Sequence, residues 1–247
     1  MTPESRAKFP IPRDPELIGA SAADEELCRL RVGFMTKAFT YGYHRNFTWL
    51  GVPIIQLPQD VVALQEIIWE TKPTLILETG VAFGGALVLY ASILELIGGP
   101  GEAVGIEVEM RPQNEAALLQ HPLARRIRLL KGSSTDPAVL EQVRERARAH
   151  ARVMVILDSD HSHEHVAREL SMYADLVTPG CYLIVYGTSV AELPDDVAYQ
   201  RPWNRHRNPK TALEEWLSGG VPFEIDKPLT DRLILSDGPA GYLRRVR

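Results

Sequence analysis

The chain has 247 residues, 45% hydrophobic and 24% charged, with a formal net charge of −5, and the balance excludes the basic face of a dedicated nucleic-acid binder. Only Cys28 and Cys181 occur, far apart and without a CxxC pair, so neither a disulfide framework nor a cysteine zinc site is expected and a reducing compartment fits. No apolar run reaches the ~18 residues that span a bilayer, and the polar start lacks a signal core, so a cytoplasmic protein with no membrane contact is expected.

Residues 1–14 read as a loose arm and 22–39 as a helix. Residues 41–58 form an irregular, aromatic-rich stretch with Tyr41, Tyr43, Phe47 and Trp49. Residues 1–58 are thus expected to be an N-terminal extension, and 59–247 one large α/β domain, since this length favours one sizeable core. A helix over 59–70 is apolar at helical spacing through Val61, Leu64, Ile67 and Ile68. A rhythm of short apolar runs then begins. Residues 74–77 predict a strand, followed by a glycine turn and a helix over 85–96. Strands over 103–106 and 127–130 end in Glu107 and in Lys131-Gly132-Ser133-Ser134. A helix over 137–150, a strand over 153–157 ending in Asp158, a helix over 162–176 and a strand over 182–186 follow. The runs are continuous rather than alternating, as in strands covered on both faces. Alternation with helices predicts a doubly wound, mostly parallel sheet. Ligands in such sheets sit at the strands' carboxyl ends, where Glu78, Glu107, Ser133, Asp158 and Tyr186 fall.

Gly80 lets the chain turn tightly after the first strand, and Gly84 and Gly85 let a ligand approach the next helix. A dinucleotide fingerprint wants glycine at 82, where this chain has alanine. Glu78 before the turn suits a cation or amine; without a ligand the same segment is only a strand-to-helix turn. Glu107 can accept from both ribose hydroxyls, and Gly132-Ser133-Ser134 offers small polar groups at an adenine-sized site. Together these ends point to a nucleoside.

The densest polar run is Asp158-Ser159-Asp160-His161-Ser162-His163-Glu164-His165. A strand-end carboxylate suits Mg²⁺, which would orient two substrate oxygens. The His-x-His-x-His spacing could instead hold a transition metal, unless Ser162 caps a helix and the imidazoles fan out. His163 and His165 read as a solvated helical turn, Asp158 and His161 as functional. Residues 186–207 lack periodicity, and a loop this long is commonly a lid or binding loop. Tyr199 and Trp203, with Tyr43 and Trp49, either stack on a flat or sugar-like acceptor or anchor the loop. Asn208 reads as a helix cap with Pro209 first in the helix, and Lys210 as pointing toward the site.

Four ordered motifs carry a resemblance. They are Glu78-Thr79-Gly80-x-x-x-Gly84-Gly85, Gly105-Ile106-Glu107-x-Glu109-x-Arg111-Pro112, Leu157-Asp158-Ser159-Asp160-His161-x-His163 and Asn208-Pro209-Lys210-Thr211-Ala212. From about Tyr43 to Gly241-Tyr242-Leu243 the chain resembles the cephalosporin hydroxylase / rhamnosyl O-methyltransferase family. The resemblance implies a class I S-adenosylmethionine (SAM)-dependent O-methyltransferase fold, often oligomeric, hence a homo-oligomer acting on a hydroxyl of a sugar or small secondary metabolite. SAM would lie against Glu78, Thr79, Gly80, Gly84, Gly85, Glu107, Ser133, Ser134 and Asp158. The acceptor would meet Tyr43, Trp49, Tyr186, Trp203 and Lys210. His161 would act as base, and Asp158 would hold Mg²⁺ or orient His161.

At one place the chain departs from its relatives, which carry an acidic residue after the fifth strand. Here the stretch is Val185-Tyr186-Gly187-Thr188, and a lone carboxylate holds Mg²⁺ weakly. Either Asp160 or Glu192 compensates, or methylation is metal-free, or the fold serves non-methylating chemistry such as cyclisation or isomerisation, or the chain is a SAM-binding non-catalytic subunit.

Overall fold

A computed structural model describes residues 13–194 and 201–247. Helix α2 (Glu25–Thr40) stands where the sequence suggested a helix over 22–39, and a further helix, α1 (Pro15–Ala23), precedes it. Asp24 divides them: its backbone is extended and its carboxylate accepts from the Leu27 amide, so it ends one helix and caps the next. The aromatic-rich stretch contains an antiparallel hairpin of β1 (Phe47–Trp49) and β2 (Val52–Ile54). After α3 (Pro58–Thr71) come β3 (Leu75–Thr79), α4 (Gly85–Ile97), β4 (Glu102–Glu107), α5 (Pro112–Gln120) and β5 (Ile127–Lys131). Then follow α6 (Pro137–Ala147), β6 (Val153–Leu157), α7 (His163–Tyr173) and β7 (Tyr182–Val185). The chain closes with α8 (Pro209–Ser218), β8 (Phe223–Ile225), α9 (Lys227–Arg232) and β9 (Tyr242–Arg245).

Seven strands form one sheet in the order β5-β4-β3-β6-β7-β9-β8. The strands from β5 to β7 in that order are parallel; β9 pairs antiparallel with β7 and β8. The doubly wound, mostly parallel sheet is present, with an antiparallel edge added. Every residue of β3, β6 and β7 is buried. Side chains alternate between two cores. Ile76, Ile156 and Ile184 pack with Leu64, Ile68 and Leu89 of α3 and α4, whereas Leu77, Val155 and Leu183 pack with Val143, Leu170 and Leu213 of α6, α7 and α8. The chain leaves β3 for β4 on one side and returns from β5 to β6 on the other. That reversal opens a crevice at the carboxyl ends of β3 and β6. Among the described residues no helix is long and apolar enough to cross a membrane.

Candidate functional site

A cavity of about 930 Å³ occupies this crevice. Glu78, Gly80, Gly85, Glu107, Ser133, Ser134, Asp158, His161 and Trp203 all line it, so most of the strand-end residues converge on one space.

The glycines serve packing as much as ligand approach. Gly80 (φ +83°) lies so close to β6 that a Cβ would stand 2.2 Å from the Asp158 carbonyl, and at Gly85 it would stand 2.3 Å from the Pro53 carbonyl. At Gly84 the space is filled by Leu118, and this glycine does not line the cavity. Nor does Thr79, which is fully buried and accepts the Asp158 amide on its carbonyl, tying β3 to β6. Ala82 keeps a left-handed backbone (φ +50°) without being glycine. Glu107 holds it there: one carboxylate oxygen accepts from the Val81 and Ala82 amides at 3.0 Å, and the other from the Glu109 amide at 3.2 Å. Three of the carboxylate's roughly four lone-pair directions are thereby taken, leaving one for a ligand hydroxyl instead of the two expected.

Glu78 is buried, with Oε1 accepting from the Tyr90 hydroxyl at 2.8 Å and Oε2 without a partner. Burial first, then the charges of Asp158 and Glu107, hold its carboxyl well above the usual range, against the Tyr90 hydrogen bond. A cationic ligand group would relieve both features.

Asp158 pairs with two side chains. Gln56 Nε2 donates to Oδ2 at 3.2 Å, and His161 Nε2 lies 3.3 Å from Oδ1. Burial pushes the Asp158 carboxyl up to about 6 although His161 opposes it. For His161 burial works against the charged ring, but the hydrogen bond and charge of Asp158, with Asp237 and Asp160 behind, outweigh it and raise its pKa. The ring also stands 5.3 Å from the Trp203 ring, which in turn carries the Arg201 guanidinium 5.2 Å from its centroid.

Gly187 explains where His161 sits. Its φ is +74°, and a Cβ there would lie 2.5 Å from His161 Nδ1, so the missing side chain is the room the imidazole uses. A carboxylate still approaches this strand end, from a residue the sequence did not single out. Asp237 Oδ2 accepts from the Gly187 amide at 3.2 Å, and Oδ1 from Ser189 Oγ at 2.6 Å. Of the proposed replacements, Asp160 lines the cavity but has one oxygen on the Ser162 amide, whereas Glu192 lies away from it, paired with Arg31 at 2.9 Å. Among the described residues no group of three or more His, Cys, Asp or Glu side chains could hold a metal ion. Each oxygen of Asp158 and Asp237 already faces one protein partner, so a Mg²⁺ ion here would have to share both carboxylates with the protein.

Asp237 is itself held by Asp60, which is fully buried and accepts from the Asp237 amide, Ser236 Oγ and Tyr242 OH at 2.8, 2.6 and 2.8 Å. Burial outweighs these bonds and lifts the Asp60 carboxyl from 3.8 to about 7. A raised folded-state pKa means that the stability it contributes is fully present below 3.8 and is lost as pH rises through about 7. Asp60→Asn is therefore expected to melt lower overall, having one acceptor oxygen for three donors, but to lose less stability between acid and neutral pH. Denaturation curves that shift with pH in parallel for both proteins would contradict this.

Four of the five expected acceptor residues point elsewhere. Tyr186 is fully buried with its hydroxyl 3.3 Å from that of Tyr242, because it shares its strand face with Ile184 and the α3–α4 core. Trp49 donates to Ser92 Oγ of α4 at 3.0 Å, and Tyr43 packs edge-on between Phe34 and Phe47. Lys210, just behind the Asn208 cap and Pro209, lines a separate pocket of about 180 Å³ with Arg31 and Glu192. Tyr199 lies outside the described residues. Residues 39–57 reach the cavity instead through Phe39, His44, Arg45, Pro53, Ile55, Gln56 and Leu57. His163 and His165 are not a solvated turn. His163 bonds Thr211 Oγ1 and lies 3.2 Å from Glu215, bridging α7 to α8, whereas His165 lines the cavity beside Ser134. The three imidazoles fan out, so no histidine cluster forms.

The strand order and the cavity at the reversal define the class: this is the fold of class I SAM-dependent methyltransferases. CmcI in its apo form superposes with a TM-score of 0.58 at 20% identity, covering 82% of this chain and 77% of that chain. An O-methyltransferase from Bacillus cereus in complex with SAH superposes with a TM-score of 0.51 at 13% identity, covering 85% and 87%. The chain belongs to the rhamnosyl O-methyltransferase/CmcI family, whose model matches residues 41–246. Rhamnosyl O-methyltransferases of Mycobacterium leprae and Mycobacterium tuberculosis are each 32% identical to it, over 149 and 157 residues, or 58% and 60% of this chain. The chain spans 63% and 61% of the length of those relatives.

Proposed function

We propose that this protein is a SAM-dependent O-methyltransferase acting on a hydroxyl of a small acceptor, a sugar or secondary metabolite. The observation that carries the reading is one cavity holding nucleoside-type and cation-type carboxylates, Glu107 and Glu78, together with the Asp158–His161 pair. Glu107 offers its free lone pair to a ribose hydroxyl. The unpartnered oxygen of Glu78 suits the ammonium of the donor's amino-acid end. SAM, when bound, supplies an electrophilic methyl group on a sulfonium. Asp158, an acceptor, keeps the proton of His161 on Nε2 and leaves the Nδ1 lone pair to take the proton of the acceptor hydroxyl. Trp203 and Arg201 form the acceptor wall, and the cavity aligns the reactants. The protein partners already on Asp158 and Asp237 support a metal-free route.

Calorimetric titration with SAM, followed by detection of S-adenosylhomocysteine after incubation with hydroxylated acceptors, tests the reading. Glu107→Ala is expected to weaken SAM binding by roughly 1.5–3 kcal/mol, the worth of a hydrogen bond to a charged group. A melting curve is needed beside it, because the substitution also frees the Val81 and Ala82 amides. Unchanged affinity would remove Glu107 from the site. Tight SAM binding without any product would turn the reading toward a non-methylating protein.

A further inference from the structure

His165 belongs to a second polar cluster that lines the same cavity. Its Nε2 lies 3.0 Å from Ser134 Oγ and 3.4 Å from Glu169 Oε1. Glu169 is fully buried; Oε1 also accepts from Ser159 Oγ at 2.7 Å, while Oε2 has no partner. Ser134 is fixed in turn, its carbonyl accepting from the Tyr173 hydroxyl. Helix α7 thus sends one imidazole back to the carboxyl end of β5, where it lines the cavity with Gly132, Ser133 and Ser134.

This cluster sets the tautomer. A carboxylate only accepts, so an unprotonated Nε2 would turn a lone pair against Glu169; the proton therefore sits on Nε2. In the neutral ring Nδ1 is then an acceptor; the hydrogen bond to Ser134 and the Glu169 contact both fall on Nε2, and Asp160 acts on the ring through its charge. Resting on the methyl-donor reading above, we propose that His165 Nδ1 accepts the exocyclic amino group of the donor's adenine and makes the site selective against 6-oxo purines. With the ribose at Glu107 and the methyl group at Asp158–His161, the base lies beyond Glu107 in the sheet order, against β5 and His165. An amino group donates to Nδ1, whereas a 6-oxo oxygen sets two acceptors face to face. Selectivity thus includes a repulsive part.

Titrating the full chain with S-adenosylhomocysteine and with its 6-oxo counterpart, S-inosylhomocysteine, tests this. The wild type is expected to prefer the adenine compound by about tenfold or more, the scale of one hydrogen bond plus a mismatched acceptor. His165→Phe and His165→Leu are each expected to reduce that preference below about threefold. His165→Asn, whose amide oxygen can stand near the Nδ1 position, is expected to retain most of it. A purely structural role would weaken both compounds together, so the ratio decides, with melting curves showing which variants are folded. An unchanged ratio in a folded Phe or Leu variant, or a wild-type preference for the 6-oxo compound, overturns the inference and leaves the donor reading standing. A wild type that binds neither compound overturns the donor reading, and the inference falls with it.

Discussion

His161→Asn is expected to lower kcat about 10²–10⁴-fold, the range contributed by a positioned general base, with little change in SAM affinity. His161 is the one imidazole of its run that faces both Asp158 and Trp203. The pH profile should carry its signature. Asp158 titrates at about 6 and the His161 pKa is raised, so the pair holds an extra proton in acid and Nδ1 cannot take another. Activity should therefore rise with pH, with its half-point above the ordinary imidazole value of 6.5, and that limb should vanish in His161→Asn. His163→Ala is the control. It removes the bridge from α7 to Thr211 and Glu215, so it should lower the melting temperature and spare kcat. Equal losses of kcat in the two variants would remove His161 from its role as base.

Gly187→Asp is expected to destabilise the protein and to reduce activity about as far as His161→Asn, with no gain in Mg²⁺ affinity. Read from sequence alone, the same substitution would restore a missing metal ligand. Three facts of the structure reverse that expectation. A non-glycine residue at φ +74° is strained by roughly 1–3 kcal/mol, and its Cβ would strike the His161 ring at 2.5 Å. The position a carboxylate would seek is moreover already approached by Asp237. Gly180→Ala separates the two effects, since Gly180 also has a positive φ (+81°) but nothing within 4 Å of its Cβ. It should lose stability from backbone strain and keep kcat, whereas Gly187→Ala should lose both. Melting curves, kcat and a Mg²⁺ titration across the three variants decide the matter. A Gly187→Asp protein that binds Mg²⁺ tightly and keeps its activity would show that the imidazole moves aside at little cost.

The sheet was legible in the sequence because its signal is local. Strands buried on both faces are short continuous apolar runs, and the polar residue ending each run marks the ligand side; Glu78, Glu107, Ser133 and Asp158 were found in this way. The antiparallel edge was not legible. β8 has three residues of which only Phe223 is buried, too short and too exposed to announce a strand. The acceptor side misled for a related reason. An aromatic residue near a strand end is equally apolar whichever way it faces, and the face is set by strand parity and by what packs there, which sends Tyr186 into the core and Trp49 onto α4. Asp237 and Asp60 carry no local signal at all: Asp237 sits in an ordinary Ser-Asp-Gly-Pro turn and Asp60 in the first turn of an amphipathic helix. Only the folded chain brings Asp60 beneath Asp237, and Asp237 against Gly187, across sequence separations of 177 and 50 residues. The carboxylate missing from the fifth strand end thus returns from the turn before β9, while the space left at Gly187 goes to the His161 imidazole. Sequence spacing could not decide this, because it depends on which side chain fills a gap of a few ångströms.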